Sequence, residues 1–194
     1  MSMRTDEGRS RLLAPLEEGA RRCLEQLEKI SGEAWKADSL FLEEASGDRL
    51  EALLGASMEE CHGDWFTMPG AAFLLLFPRN PGQRLINRFT RDHAEPIDTL
   101  TKRDSKVLAE IANILVNAFV TPLAQALDEE LIVSSPQSLL DTQRELALAV
   151  IKKLSRPGEP CVFCLARFFS PGRGGKLSVL ILLEPETLAR LHPA

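Results

Sequence analysis

The 194-residue sequence predicts an α+β fold built from two pseudo-symmetric α-β-α-β-β-α repeats. Their strands should form one central, mostly antiparallel sheet, with the two long helices together on one face. Two observations carry this. Segments of helical and of strand character follow in the same order twice, at an offset of about 92 to 105 residues. The strand segments are short, apolar and bounded by Pro, Gly and Asn, whereas two segments of about twenty residues keep the 3.6-residue period of a packed helix. Residues 1–9 are polar and expected to be flexible; 10–194 form a single domain, with repeat one at about 10–92 and repeat two at about 103–194.

The first helix is expected over 10–30, stopped by Gly32. An extended segment over 34–44 and a short helix over 48–55 follow. Strands are expected at 60–67 and 71–78, ended by turn chemistry at Pro78, Asn80, Pro81 and Gly82, and a short helix at 82–90 closes the repeat. After a polar connection the long helix starts near Asp104 or Ser105, either of which suits an N-cap, and Pro122 should bend or break it. The second repeat continues with an extended segment at 129–137, a helix at 140–154, strands at 159–169 and 176–185 joined by the glycine-rich hairpin turn 170–176, and a last helix at 186–193.

Composition narrows the function. A hydrophobic content of 44% with 26% charged residues is that of a globular domain. A net charge of -5, without a long Lys/Arg run, argues against nucleic acid as partner. No apolar stretch is expected to approach the ~20 residues that span a bilayer, and the N-terminus lacks the apolar core of a secretory signal, so a cytoplasmic, non-membrane protein is expected. Cys161 and Cys164 form a CxxC on a strand, where positions i and i+3 face opposite ways; with Cys23 and Cys61 they are expected to be buried, inert thiols, and no metal site is expected. Trp35 and Trp65 read as core or interface anchors. The 170–176 loop lacks the spacing of a phosphate loop.

The candidate site lies in 107–127, which contains no Lys or Arg. Glu110, Asn113 and Asn117 are spaced i, i+3 and i+7, so they fall within a ~60° sector of the helix surface. A carboxylate beside two amides can grip a partner and orient a water molecule.

These residues resemble the CheC, CheX and FliY phosphatases of bacterial chemotaxis. The motif of that family is Asp or Ser, three residues, Glu, two residues, Asn, twenty-two residues and Pro. Glu110, Asn113 and Pro136 match it, and the two-repeat layout covers nearly the whole chain as a CheC-like domain. The chain departs from the motif at its first position, which is Lys106; Ser105 and Asp104 lie one and two residues too early, and a one-residue shift of the helix would bring Ser105 level. In the first repeat, Glu18 stands 92 residues before Glu110, but Arg21 replaces the asparagine and residue 44 is Glu. The chain therefore resembles a one-site member.

The resemblance implies a phosphatase acting on the aspartyl phosphate of a CheY-like response regulator. Asn113 would orient the attacking water, and Glu110 would dock a lysine of the receiver. Lys106, Asn117 and Pro136 would belong to the partner-binding surface, Asn117 serving structure more than chemistry and Pro136 setting a loop. No cofactor of its own is implied, since Mg2+ arrives with the phosphorylated receiver. A CheD-like deamidase is a further partner the resemblance allows, and apolar helix faces or strand edges would allow a homodimer. The alternative is a non-catalytic response-regulator-binding adaptor of the chemotaxis or two-component system.

Overall fold

The structure, a computed structural model, describes residues 6–45, 60–90, 101–154, 161–172, 174–184 and 187. In chain order these form α1 (Asp6–Ser31), β1 (Lys36–Ala45), β2 (Glu60–Met68), β3 (Ala71–Pro78), α2 (Arg79–Thr90), α3 (Lys102–Leu127), β4 (Gln137–Thr142), α4 (Gln143–Leu154), β5 (Cys161–Phe169) and β6 (Lys176–Leu183). The helix expected at 48–55, that expected at 186–193 apart from Thr187, and most of the 90–104 connection lie outside the described residues.

The six strands make one sheet in the order β1-β5-β6-β3-β2-β4. Every pairing is antiparallel. Exchanging β1, β2 and β3 for β4, β5 and β6 reads this order backwards, so the sheet has a pseudo-two-fold axis between β3 and β6. Each half lends its first strand to the other: β1 pairs with β5, and β4 with β2. The sheet is thus completed only when both halves are present.

Both faces of the central strands are buried, because side chains alternate across a strand. On β3, Phe73, Leu75 and Phe77 join the core beneath α1, α2 and α3, while Ala72, Leu74 and Leu76 join a second core on the opposite face. There α4 supplies Leu146, Ala147, Val150 and Ile151. Helices α1 and α3 pack against each other over the first core. They approach closely at Gly19, where an added Cβ would lie 2.4 Å from Cδ1 of Phe119.

Several boundaries differ from the sequence expectation. Helix α1 begins at Asp6, four residues before the expected start. It ends as expected, with the N–H of Gly32 (φ 67°) donating to the Glu28 carbonyl at 2.8 Å. Helix α2 begins at Arg79, with Pro81 in its first turn, where a missing N–H leaves no bond unmade. Helix α3 is capped by Thr101, not by Asp104 or Ser105. Thr101 Oγ1 accepts from the Asp104 N–H at 3.2 Å, and Asp104 Oδ2 accepts from the Thr101 N–H at 2.8 Å.

Pro122 does not break α3, which continues to Leu127 and stops at Asp128 in the left-handed conformation (φ 53°). By length and composition α3 is apolar enough to cross a bilayer, against the expectation that no stretch approaches that length. Its apolar residues Leu108, Ile111, Leu115, Phe119 and Leu123 are buried in the core it shares with α1 and the sheet.

The strand of the second repeat lies at 137–142, later than the extended segment expected at 129–137, and displaces the start of α4 from 140 to 143. Leu139 and Leu140 read as the first turn of a helix. Instead they pair with Gly63 and His62 on β2 and remain 47% and 53% exposed at the sheet edge. Thr142 then caps α4, its Oγ1 accepting from the Glu145 N–H at 3.3 Å.

Candidate functional site

The Thr101 cap fixes the register of α3, and the helix is α-helical without interruption from Lys102 to Leu127. No shift brings Ser105 level with the motif's first position, which Lys106 keeps. Glu110, Asn113 and Asn117 are all exposed on one face. The strip is wider than expected, because Lys106, Ile114 (36% exposed) and Thr121 share the same face and stand in solvent. Its first turns carry Lys102, Arg103 and Lys106, and its last turns only uncharged amides, hydroxyl and Ala.

Among the described residues Glu110 has no ion-pair or side-chain hydrogen-bond partner, and Lys106 stands one turn away without pairing to it. Asn113 is engaged on one side only. Nδ2 of Asn117 donates to the Asn113 main-chain carbonyl at 2.8 Å and lies 3.5 Å from Asn113 Oδ1. One turn further, Thr121 Oγ1 donates to the Asn117 carbonyl at 2.8 Å. The Nδ2 group of Asn113 and both carboxylate oxygens of Glu110 are therefore available to a partner.

Pro136 is half-buried at the entry to β4. The segment before it is pinned to the end of β2, where the Ser134 N–H donates to the Thr67 carbonyl at 2.8 Å and Ser134 Oγ accepts from the Thr67 N–H at 3.0 Å. Its place is that of a residue shaping a loop. Among the described residues no hydrogen bond or ion pair joins it to the α3 strip.

The same face of α1 is chemically closed. Glu18 accepts from Arg21 Nε at 2.8 Å, from Arg21 Nη2 at 2.6 Å and from Arg22 Nε at 2.7 Å. Arg21 also reaches Glu25 through Nη1. The hydrogen bonds from Arg21, then those from Arg22, hold the Glu18 carboxyl at about 2, and Glu18 raises Arg21 in return. At the 92-residue offset Glu18, Arg21 and Glu25 stand for Glu110, Asn113 and Asn117. The buried positions Leu16, Gly19, Ala20, Cys23 and Leu27 likewise stand for Leu108, Ile111, Ala112, Leu115 and Phe119.

A second polar cluster lies outside the sequence expectation. His62 and Asp64 are buried on the face of β2 that carries Phe66 and Met68 of the first core, with His62 Nε2 3.0 Å from Asp64 Oδ2. Ser138 Oγ on β4 donates to Asp64 Oδ1 at 2.5 Å. The carboxylate stands between imidazole and hydroxyl, so the arrangement ties the edge strand to β2 and does not activate the serine. The signal for it in the sequence is the spacing of two, which puts 62 and 64 on one face of a strand.

The remaining candidates are structural. Cys23, Cys61 and Cys164 are buried, and burial pushes the Cys164 thiol up to about 12 and that of Cys23 higher. The side chain of Cys161 lies outside the described set. Trp35 is buried with Nε1 donating to Ser31 Oγ at 2.9 Å, and Trp65 is buried under Lys153, whose Nζ is 3.8 Å from the ring centroid.

No family model matches the chain, and no curated protein matches it in sequence. Solved structures match it in fold. FliY of Thermotoga maritima aligns with a TM-score of 0.66 at 11% identity, over 98% of this chain and 96% of that one. A CheC-like superfamily protein from Shewanella aligns with a TM-score of 0.59 at 11% identity, over 88% and 97%. FliM in the FliM–SpeE complex from H. pylori aligns with a TM-score of 0.68 at 10% identity, over 96% and 95%. The chain has a CheC/CheX/FliY-like fold. In this CheC-like fold the exposed Glu110–Asn113 pair belongs to one of two related helices, and the other helix carries the closed ion cluster.

Proposed function

We propose that this protein is a phosphatase that removes the aspartyl phosphate of a CheY-like response regulator. The observation that carries the proposal is the contrast between the two helices. Glu110 and Asn113 stand in solvent with their polar groups open, whereas Glu18 on α1 is saturated by Arg21 and Arg22.

The chemistry is an in-line displacement. Water attacks phosphorus, the bond from phosphorus to the aspartyl oxygen breaks, and the carboxylate leaves as inorganic phosphate forms. The receiver brings its own Mg2+, so the proposal includes no cofactor on this chain. What remains to be supplied is position. The Asn113 carbonyl oxygen accepts from the water and its NH2 group donates to phosphate, as the glutamine of GTPases orients water. Glu110, one turn away, pairs with a lysine of the receiver and fixes the register of docking. Ile114 adds an apolar contact between them. The reaction belongs in the cytoplasm, where receivers are phosphorylated.

The test is the rate of phosphate loss from a phosphorylated receiver with catalytic amounts of this protein. Asn113→Ala should lower the rate roughly 10²–10³-fold, about 3–4 kcal/mol, by comparison with loss of one oxyanion-hole donor. Glu110→Ala should raise KM more than it lowers kcat. Equal losses of both quantities in both variants would contradict this division of roles.

One observation favours a second reading. Lys106 holds the motif's first position, and FliM, of the same fold, is solved in complexes with FliG and with SpeE. A docking adaptor for a response regulator would bind the receiver through the same strip and leave its dephosphorylation rate unchanged.

A further inference from the structure

We infer that Asn117 is the positioning residue for Asn113. The inference rests on the phosphatase reading for its kinetic consequence, and on the geometry of α3 for its structural one. Nδ2 of Asn117 is anchored on the Asn113 main-chain carbonyl at 2.8 Å and stands 3.5 Å from Asn113 Oδ1. An NH2 group there attracts an oxygen and repels another NH2 group. It therefore selects the amide orientation in which Asn113 turns Oδ1 toward the C-terminal side of the strip and leaves Nδ2 open.

A free asparagine on a helix surface has no such preference. Both its χ2 orientations are accessible, since that torsion is broad, and only one presents oxygen and nitrogen correctly to water and phosphate. Holding that orientation before the receiver arrives removes the ordering from the reaction itself. Helical side chains lean toward the N-terminus, which brings the residue at 117 over the turn that carries 113.

Asn117 is itself held. Thr121 Oγ1 donates to its main-chain carbonyl at 2.8 Å, and Pro122 follows inside the helix. Pro122 has no N–H to give to the Ala118 carbonyl, which loosens the ladder at this turn. The Thr121 bond supplies an extra tie one residue away. The first repeat uses the same i,i+4 relation. At the 92-residue offset Arg21 and Glu25 stand for Asn113 and Asn117, and Glu25 bonds Arg21. In α1 the pair is ionic and locks the arginine; in α3 it is neutral and orients an amide without occupying its outer face.

The experiment compares wild type with Asn117→Leu, which keeps the shape and loses the donor, and Asn117→Gln, which keeps an NH2 group within reach. Two quantities are read: kcat and KM for phosphorylated receiver, and the NMR order of the Asn113 side-chain amide in the free protein. Asn117→Leu should lower kcat roughly tenfold with KM within about twofold, because it disorders the reacting group and not the docking. The Asn113 amide should lose order in that variant, and Asn117→Gln should recover most of both quantities. An unchanged kcat together with an unchanged amide order in Asn117→Leu overturns the inference. So does a change confined to KM, which would make Asn117 a docking contact. A wild type that does not accelerate phosphate loss sinks the phosphatase reading alone. The amide-order comparison then still decides whether Asn117 holds Asn113.

Discussion

Gly19→Ala should destabilise the protein, although helix propensity alone argues the opposite. Inside a helix Ala is favoured over Gly by about 1 kcal/mol. At this position the new methyl carbon would lie 2.4 Å from Cδ1, 3.0 Å from Cγ and 3.0 Å from Cα of Phe119. Comfortable carbon–carbon separations are about 3.5–4.0 Å, so the shortfall at the ring is about 1 Å. Turning the buried ring cannot relieve it, because the methyl also presses on the α3 backbone at Phe119. The two helices must separate, and overpacking of this kind costs about 1–3 kcal/mol. Against the propensity gain, the net loss is about 1–2 kcal/mol at the upper end of that range. For a chain of this length that lowers Tm by roughly 2–8 °C. The assay is thermal unfolding followed by circular dichroism. Adding Phe119→Ala should relieve the clash with the ring but not the clash with the backbone, so a double-mutant cycle should show favourable coupling that falls short of full rescue. A Tm that rises or stays unchanged in Gly19→Ala would refute the close approach of α1 and α3.

Three other outcomes follow from the same structure. Thr101→Ala removes the cap of α3 and should cost about 1 kcal/mol in urea denaturation, without changing kcat, because Asn113 lies three turns further on. His62→Ala removes both a buried ring and the hydrogen bond it makes to the Asp64 carboxylate, and should cost about 3–5 kcal/mol, the range for emptying a ring-sized buried site. Ser138→Ala should cost less, about 1–3 kcal/mol, because the His62 bond survives; equal costs would show that the imidazole contributes nothing beyond the hydroxyl. The Glu18 carboxyl, held at about 2 by Arg21 and Arg22, is depressed in the folded state, so its contribution is complete above the unfolded value near 4.5 and is lost as pH falls toward 2. NMR titration of Glu18 should place its midpoint near 2 in wild type and back toward the ordinary range in an Arg21→Gln, Arg22→Gln variant.

The legible parts of this fold are those with local causes. The strand β3 is an apolar run and Pro69 and Gly70 separate it from β2, and the sequence places both strands within a residue of their limits. The strip on α3 is legible because helical geometry is fixed, so spacing alone sets Glu110, Asn113 and Asn117 on one face. What the sequence hides depends on partners distant along the chain. The edge strand β4 exists because Gln137–Thr142 pairs with Trp65–Glu60, and nothing within Leu139–Leu140 distinguishes that from the start of a helix. The Asp64–Ser138 bond spans 74 residues and is invisible for the same reason. The cap of α3 is misplaced by local chemistry of another kind. Asp104 does take part in capping, but as the residue that reaches back to Thr101, so the true boundary lies three residues earlier.

The strand exchange gives the two halves a shared fate and leaves their surfaces free to differ. Because β1 completes the sheet of the second half and β4 that of the first, neither half can lose its core without exposing the other's edge. The constraint acts on buried positions, and there Leu16, Gly19, Ala20, Cys23 and Leu27 of one long helix match Leu108, Ile111, Ala112, Leu115 and Phe119 of the other. It does not act on the exposed stripe of each helix. On α1 that stripe has become a set of mutually satisfied charges, in which a receiver lysine reaching for Glu18 would have to displace bonds from two arginines. On α3 the carboxylate at the equivalent place has no such competitor among the described residues, so a docking lysine would meet an open acceptor. The difference between a closed helix and an open one thus comes down to a few substitutions on a symmetric scaffold, chiefly arginine against asparagine at 21 and 113.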